Sequence, residues 1–133
     1  LGAVIQQIPI TSYLENAMVN LQWGIVIPFV IAAVLKTAQG SSTVAIITTS
    51  SIVLPLLPAL GMDSEMGKVW VIMALGVGSM TVSHANDSYF WIVSQIGGLD
   101  VKTAYRHHTW ATFLQGSVGF VLVWIGYNIW KLV

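Results

Sequence analysis

A polar island, SHANDS at residues 83–88, interrupts an apolar run that extends over residues 69–96. Within that run only His84 and Asp87 can carry charge near neutral pH. As one helix, the run would be roughly 42 Å long at about 1.5 Å per residue, well beyond the roughly 30 Å hydrocarbon core of a bilayer. The sequence therefore predicts two shorter helices joined by unwound backbone. At membrane depth such backbone is tolerated only where it faces protein or a water-filled cavity.

The composition is that of an integral membrane chain. Of 133 residues, 56% are hydrophobic and 8% are charged, whereas a soluble domain carries about 25% charged residues. The five basic and five acidic residues balance, so we expect lipid around the chain and no nucleic-acid partner. The absence of cysteine excludes thiolate metal sites, and we expect neither a metal nor a cofactor. Because the sequence starts at Leu1, we expect it to be the C-terminal piece of a longer protein.

Residues 21–60 contain a single charge, Lys36, and divide into two apolar arms around the polar stretch QGSST at residues 39–43. Glycine and small polar residues indicate a turn, so this region is predicted to be a helical hairpin. Its tip either lies at the membrane surface or ends halfway across the membrane as a re-entrant hairpin. The residues alone leave both topologies open, although hydroxyls, an amide and a glycine suit close approach of the backbone to a ligand.

The remaining segments are predicted to be connections and one further helix. Residues 1–20 suit an interfacial amphipathic helix or an ordinary connecting segment. Residues 97–108 are interpreted as a basic loop, in which the adjacent His107 and His108 indicate a solvated segment rather than a metal site. Residues 109–132 are apolar almost to their end, which predicts a final transmembrane helix.

The polar island has more than one interpretation. An Asp inside a span costs about 2.5–3.5 kcal/mol on insertion scales, so Asp87 needs a partner, a proton or water. On a helix His84 and Asp87 are three residues apart and can pair, which would simply stabilise a kink. The alternative is a functional site at the break. A hydrolase triad that includes Ser83 is disfavoured, because the side chains of Ser83 and His84 diverge by about 100° on a helix.

Two motifs resemble the gluconate permease family of bacterial transporters. One is QGSSTVA at residues 39–45, which looks like the hairpin-tip motif of that family. The other is SHANDS at 83–88, followed by YFW at 89–91 and VKTAY at 101–105, which resembles the stretch before its final helix. The resemblance covers nearly the whole chain. It implies a multi-pass secondary transporter of the bacterial inner membrane and not an enzyme.

The resemblance also implies an architecture. The family belongs to a superfamily of ion-coupled transporters with two inverted repeats, in each of which a re-entrant hairpin and a discontinuous helix meet at the substrate site. On this basis residues 1–133 are the C-terminal part of one all-α transmembrane domain, with a hairpin at 21–60, a broken helix at 66–97 and a final transmembrane helix at 109–132. The missing N-terminal repeat, or a homo-oligomer, would complete the site.

The implied function is proton-coupled uptake of gluconate or a related sugar acid. Helix N-termini, hydroxyls and amides would hold the anion. The residues assigned to substrate binding are Gln39, Gly40, Ser41, Ser42, Thr43, Asn86 and Ser88. Asp87 is the first candidate for the coupling proton because desolvation favours its neutral form, and His84 is the second. The alternatives are sodium coupling, a related permease for D-serine or another small carboxylate, and a membrane subunit that transports nothing.

Overall fold

The computed structural model describes residues 24–132, and all regular structure in this part of the chain is helical. The prediction of an all-α chain is therefore confirmed, while the segment predicted at residues 1–20 lies outside the described residues. The helices, in chain order, are α1 (Val26–Gln39), α2 (Ser42–Val53, followed by a 3-10 turn at Leu54–Leu56), α3 (Glu65–Gly78), α4 (Ser88–Ile96), α5 (Val101–Ala104), a π-helical segment (Tyr105–Thr109) and α6 (Trp110–Leu132).

Helices α1 and α2 form a hairpin with a very short connection. Gly40 ends α1 with a φ of 80°, a left-handed conformation that glycine adopts without steric cost. Ser41 then caps α2, because its Oγ accepts a hydrogen bond from Val44 N–H at 3.3 Å. The two helices are 14 and 12 residues long, which corresponds to about 21 and 18 Å.

The apolar run is interrupted, but earlier than predicted. Helix α3 ends at Gly78, residues 79–87 are not helical, and α4 begins at Ser88. We refer to residues 79–87 as the unwound segment. The polar island at 83–88 therefore occupies only its second half and the start of α4.

Local hydrogen bonds explain the early end of α3. Ser79 Oγ donates to the carbonyl of Gly76 at 2.8 Å, and Thr81 Oγ1 donates to the carbonyl of Gly78 at 2.7 Å. Hydroxyls bonded to nearby carbonyls in this way offer the backbone an alternative to the helical pattern. Val82 follows with a φ of 46°, a left-handed conformation that is strained for a β-branched residue. Strain of this kind concentrates at functional sites.

The prediction of a basic loop at 97–108 is wrong for residues 101–108, which are helical. The last helix is continuous over Val101–Leu132, which is 32 residues, so it begins eight residues before the predicted residue 109. His107 and His108 lie in its π-helical segment rather than in a solvated loop. In the described part of the chain, this is the one helix long and apolar enough to cross a membrane, whereas α1 and α2 are shorter apolar helices.

The core lies between α1, α3 and α6. Its buried members are Ile25, Ala32, Val53, Leu57, Met62, Val71, Ala74, Leu75 and Val123. The helices approach closely at small residues: an added Cβ on Gly78 would press on the backbone of Phe29, and one on Gly116 would overlap the side chain of Thr81. These contacts fix the unwound segment between α1 and α6. Large apolar side chains are exposed on the outer faces of α2, α4 and α6, as expected for surfaces that meet lipid or protein rather than water.

Candidate functional site

The tip of the hairpin, residues 39–43, lies directly against the unwound segment. A Cβ added to Gly40 would overlap the backbone carbonyl of Asn86, and it would lie 3.0 Å from the backbone nitrogen of Asp87. Only glycine permits this approach of one backbone to another. The expected meeting of the hairpin tip and the broken helix is therefore observed.

A buried ion pair joins these two elements. Lys36 Nζ, in the last turn of α1, lies 2.6 Å from Asp87 Oδ2 and 2.5 Å from the carbonyl oxygen of Gly40. Lys36 is 3% exposed and Asp87 is 8% exposed. A charge removed from water to this degree is costly unless it is paired and hydrogen-bonded. The lysine therefore connects the tip carbonyl to the carboxylate of the unwound segment.

Asp87 also initiates α4. Its Oδ1 accepts a hydrogen bond from Tyr89 N–H at 3.0 Å, which satisfies one of the free N–H groups at the start of a helix. Its Oδ2 accepts from Ser83 Oγ at 2.5 Å as well as from Lys36. An ammonium, a hydroxyl and a backbone amide thus converge on one carboxylate.

His84 lies at the end of α1 rather than beside Asp87. Both His84 Nε2 and Asn86 Nδ2 lie 2.9 Å from the carbonyl oxygen of Thr37. This carbonyl is one of the last four of α1, which have no partner within their own helix. A carbonyl can only accept, so His84 Nε2 carries the hydrogen in this arrangement. The pair of His84 and Asp87 suggested by helical spacing is wrong, because Lys36 is the partner of Asp87.

His108 contacts the same network from the π-helical segment. Its Nε2 lies 3.2 Å from Ser83 Oγ, and since Ser83 gives its hydrogen to Asp87, the hydroxyl accepts from His108. The backbone of Ser83 is held by the last helix too: its carbonyl accepts from Thr109 Oγ1 at 2.7 Å, and its N–H donates to Thr112 Oγ1 at 3.0 Å. Segments of π-helix are frequent at functional sites, and here one places an imidazole two hydrogen bonds from the carboxylate.

A cleft of about 270 Å³ opens beside the ion pair. The residues that line it are Lys36, Ser42, Met80, Ser83, Asp87, Tyr89, Thr112 and Gln115. A larger cavity of about 480 Å³ lies where α1 faces α6, but apolar side chains dominate its walls. The smaller cleft combines both charges with hydroxyls and an amide, and a few such polar groups can fix the orientation of a small polar ligand.

The structure places the residues predicted to bind substrate in different positions relative to the cleft. Ser42 lines the cleft, Gly40 and Asn86 form the contact of tip and unwound segment, and Ser41 caps α2. The predicted residues that are exposed and do not line the cleft are Gln39, Thr43, Asn86 and Ser88.

The residues alone did not identify two members of the site, Lys36 and His108. For Lys36 a signal existed, because it is the one charge in residues 21–60 and an ionisable residue at membrane depth is a functional candidate. For His108 the local sequence gave no such signal. Its neighbours Arg106 and His107 made the segment appear solvated, and only a helix that continues back to Val101 places His108 beside the unwound segment.

Paired ionisable residues within apolar helices mark ion and substrate pathways in membrane proteins, and discontinuous helices form the binding sites of many transporters. Comparison with known sequences identifies the particular family. The sequence model of the GntP family permeases matches residues 1–129, and the chain belongs to this family. The predicted family is therefore confirmed, and the members of this family are named as permeases rather than enzymes.

Several curated proteins are similar to this chain. The inner membrane permease YgbN of Escherichia coli is 31% identical over 99% of this chain and 29% of its own length. The gluconate permease of Bacillus licheniformis is 36% identical over 92% of this chain and 28% of its own length. The D-serine transporter DsdX of Escherichia coli is 31% identical over 71% of this chain and 20% of its own length. The chain thus spans less than a third of these relatives. No solved structure matches it.

Proposed function

We propose that this chain forms the C-terminal part of a proton-coupled sugar-acid transporter of a bacterial inner membrane, with gluconate as the leading substrate. The observation that carries the proposal is the contact between the hairpin tip and the unwound segment, closed by Lys36 and Asp87. Broken helices that meet in this way hold substrate and coupling ion in many secondary transporters. Relatives named gluconate permease and low-affinity gluconate transporter support the substrate class.

The hairpin of α1 and α2 is re-entrant in this proposal. Helices of about 21 and 18 Å fall short of a hydrocarbon core of about 30 Å, so neither helix alone reaches across. The unwound backbone at 79–87 requires protein or a cavity beside it at membrane depth, and the tip supplies that protein. A second, inverted repeat of the same protein covers the open side, in keeping with a multi-pass topology.

The sugar acid binds in the cleft beside the ion pair. The side chains of Ser42, Ser83 and Gln115 present hydroxyls and an amide there, which suit the hydroxyl groups of the substrate. The exposed tip residues Gln39 and Thr43, together with Ser88 at the start of α4, meet the substrate from the side that the other repeat covers.

Asp87 is the proposed carrier of the coupling proton. A proton on Asp87 neutralises the carboxylate that holds the ammonium of Lys36, so protonation changes the contact between tip and unwound segment. An equilibrium between two conformations responds to a ligand only through such a difference in interaction. His84 is the second candidate, because it binds the end of α1 and does not line the cleft. Sodium coupling is the alternative mechanism.

A second substrate class, D-serine or a similar amino acid, is favoured by one feature of the site. The cleft presents an ammonium and a carboxylate together, which complements the opposite charges of a zwitterion. The relative named D-serine transporter supports this alternative.

Uptake into proteoliposomes tests the proposal. The full-length permease that contains this sequence is reconstituted, and labelled gluconate or D-serine is offered under a pH gradient and then under a sodium gradient. We expect gluconate uptake driven by the pH gradient, lost in Asp87→Asn and retained in the matched surface variant Glu65→Gln. Uptake driven only by sodium would overturn the proton assignment. Absence of gluconate flux in folded protein would overturn the substrate assignment.

A further inference from the structure

We propose that Lys36 binds the substrate carboxylate, and that it exchanges Asp87 for the substrate when Asp87 takes up a proton. This inference rests on the transport function proposed above. It adds the identity of the cation that receives the anion, and it gives a physical reason why the proton and the anion move together.

Lys36 is the one basic side chain that lines the cleft among the described residues. The other cations of residues 24–132 lie elsewhere, namely Lys68, Lys102, Arg106 and Lys131. An ammonium has three N–H donors. Gly40 O and Asp87 Oδ2 occupy two of them, which leaves one donor for a ligand even before the ion pair opens.

The charge of the pair controls its attraction for an anion. With Asp87 ionised, the pair has no net charge and offers little attraction to a carboxylate. A proton from the outer solution that binds Asp87 Oδ2 leaves a net charge of one on Lys36, which keeps its three hydrogens. An unpaired ammonium in a buried site is costly, so a substrate carboxylate that replaces Asp87 as its partner is stabilised. The occupied site then has the same net charge as the empty one.

No other fixed cation among the described residues faces Asp87. The unwound segment contributes Ser83 and His84, and His84 is bound to the end of α1. Helix α4 contributes the backbone N–H and ring of Tyr89, and the π-helical segment contributes His108, which acts through Ser83. Helices α2 and α6 contribute the neutral side chains Ser42, Thr112 and Gln115. The proton on Asp87 therefore releases Lys36 in particular.

A purely structural ion pair would behave differently. Removing one charge of a buried pair leaves the other uncompensated, whereas replacing both charges together is often neutral for stability. The double variant Lys36→Gln/Asp87→Asn keeps hydrogen-bonding side chains of similar size and removes both charges. It preserves a structural contact but cannot offer an ammonium to the substrate.

Equilibrium binding of labelled gluconate to the purified full-length permease tests the exchange, with unfolding temperature as the check on folding. We expect the wild-type protein to bind more tightly at acidic than at alkaline pH. Asp87→Asn, which cannot ionise at this position, should bind equally at both. The folded double variant should bind more weakly at both pH values, by about tenfold or more. Lys68→Gln/Glu65→Gln removes a comparable pair from the surface and should match the wild type.

The outcomes separate this inference from the function on which it rests. A folded double variant that binds gluconate like the wild type overturns the role of Lys36 and leaves transport intact. Wild-type binding that does not change with pH overturns the exchange of partners. Wild-type protein that binds neither gluconate nor D-serine contradicts both the proposed function and this inference.

Discussion

Two lysine–carboxylate pairs within residues 24–132 have the same chemistry but differ in burial, and therefore in their effect on the structure. Lys36 and Asp87 are 51 residues apart in sequence, 2.6 Å apart in space, and 3% and 10% exposed in their side chains. Lys68 and Glu65 are neighbours on α3, 3.1 Å apart, and 39% and 93% exposed. Water and salt screen the exposed pair, so it contributes little. In the buried pair each charge depends on the other, and the pair therefore connects two separate elements of the site.

The largest effect is expected from breaking the buried pair. Lys36→Met leaves the Asp87 carboxylate without its cation, which we expect to destabilise the protein by about 3–5 kcal/mol. Unfolding of the purified full-length permease measures the loss. The variant Lys36→Gln/Asp87→Asn should recover most of it, since the two positions are in contact and their effects are not additive. A loss within about 0.5 kcal/mol for Lys36→Met would show that the charges do not hold the tip in place.

The second test acts on the backbone contact that the buried pair closes. Gly40→Ala adds a Cβ at a φ of 80° and against the carbonyl of Asn86. We expect a cost of about 2–4 kcal/mol, from the left-handed conformation and from the overlap together. Gly61→Ala is the matched control, since Gly61 has a φ of 67° but nothing within 4 Å of an added Cβ. It should cost only about 1–2 kcal/mol. Equal losses would mean that the tip does not press on the unwound segment.

A third test concerns the outer part of the network around Asp87. His108→Leu removes the hydrogen bond to Ser83, and we expect it to cost about 1 kcal/mol and to change the pH dependence of gluconate uptake. His107→Leu is the control, because His107 is exposed on the same π-helical segment. Unfolding and uptake at several pH values measure both variants. If the two variants behave alike, His108 has no special connection to the buried pair.

The sequence predicts the hairpin and the break in the helix better than it predicts which residues contact each other across them. Hydrophobic runs and a glycine-containing turn are local patterns, so the hairpin and the interruption near 83–88 follow from them. The meeting of the tip and the break came from family resemblance. The hydrophobic pattern does not predict that the unwound segment begins at Ser79, because this depends on hydrogen bonds from the hydroxyls of single side chains to nearby carbonyls.

Long-range partners are the part that local patterns do not contain. Helical spacing relates residues three or four apart, so it suggested His84 as the partner of Asp87. The actual partner, Lys36, lies 51 residues away in sequence. A lone charge at membrane depth such as Lys36 needs a partner, but the position of that partner depends on how α1 packs beside α3. The seven predicted binding residues show the same limit. Their two motifs lie near the cleft, yet only the fold separates Ser42 in the cleft from the exposed Gln39, Thr43 and Ser88.

The smallest effect is expected at the exposed pair. Hydrogen bonding to Glu65 and its charge raise the pKa of Lys68 above 10.5. A raised pKa in the folded state means that the contribution to stability is fully present below the ordinary lysine pKa and is lost only as the pH rises through the raised value. Because water screens this exposed pair, Lys68→Gln should leave gluconate uptake and the unfolding temperature near wild-type levels. Because mildly acidic and mildly alkaline pH both lie below the raised pKa, the result should be the same at both. If Lys68→Gln abolished uptake as Asp87→Asn is expected to do, burial would not be what distinguishes the two pairs, and the position of Lys36 between tip and break would lose its functional meaning.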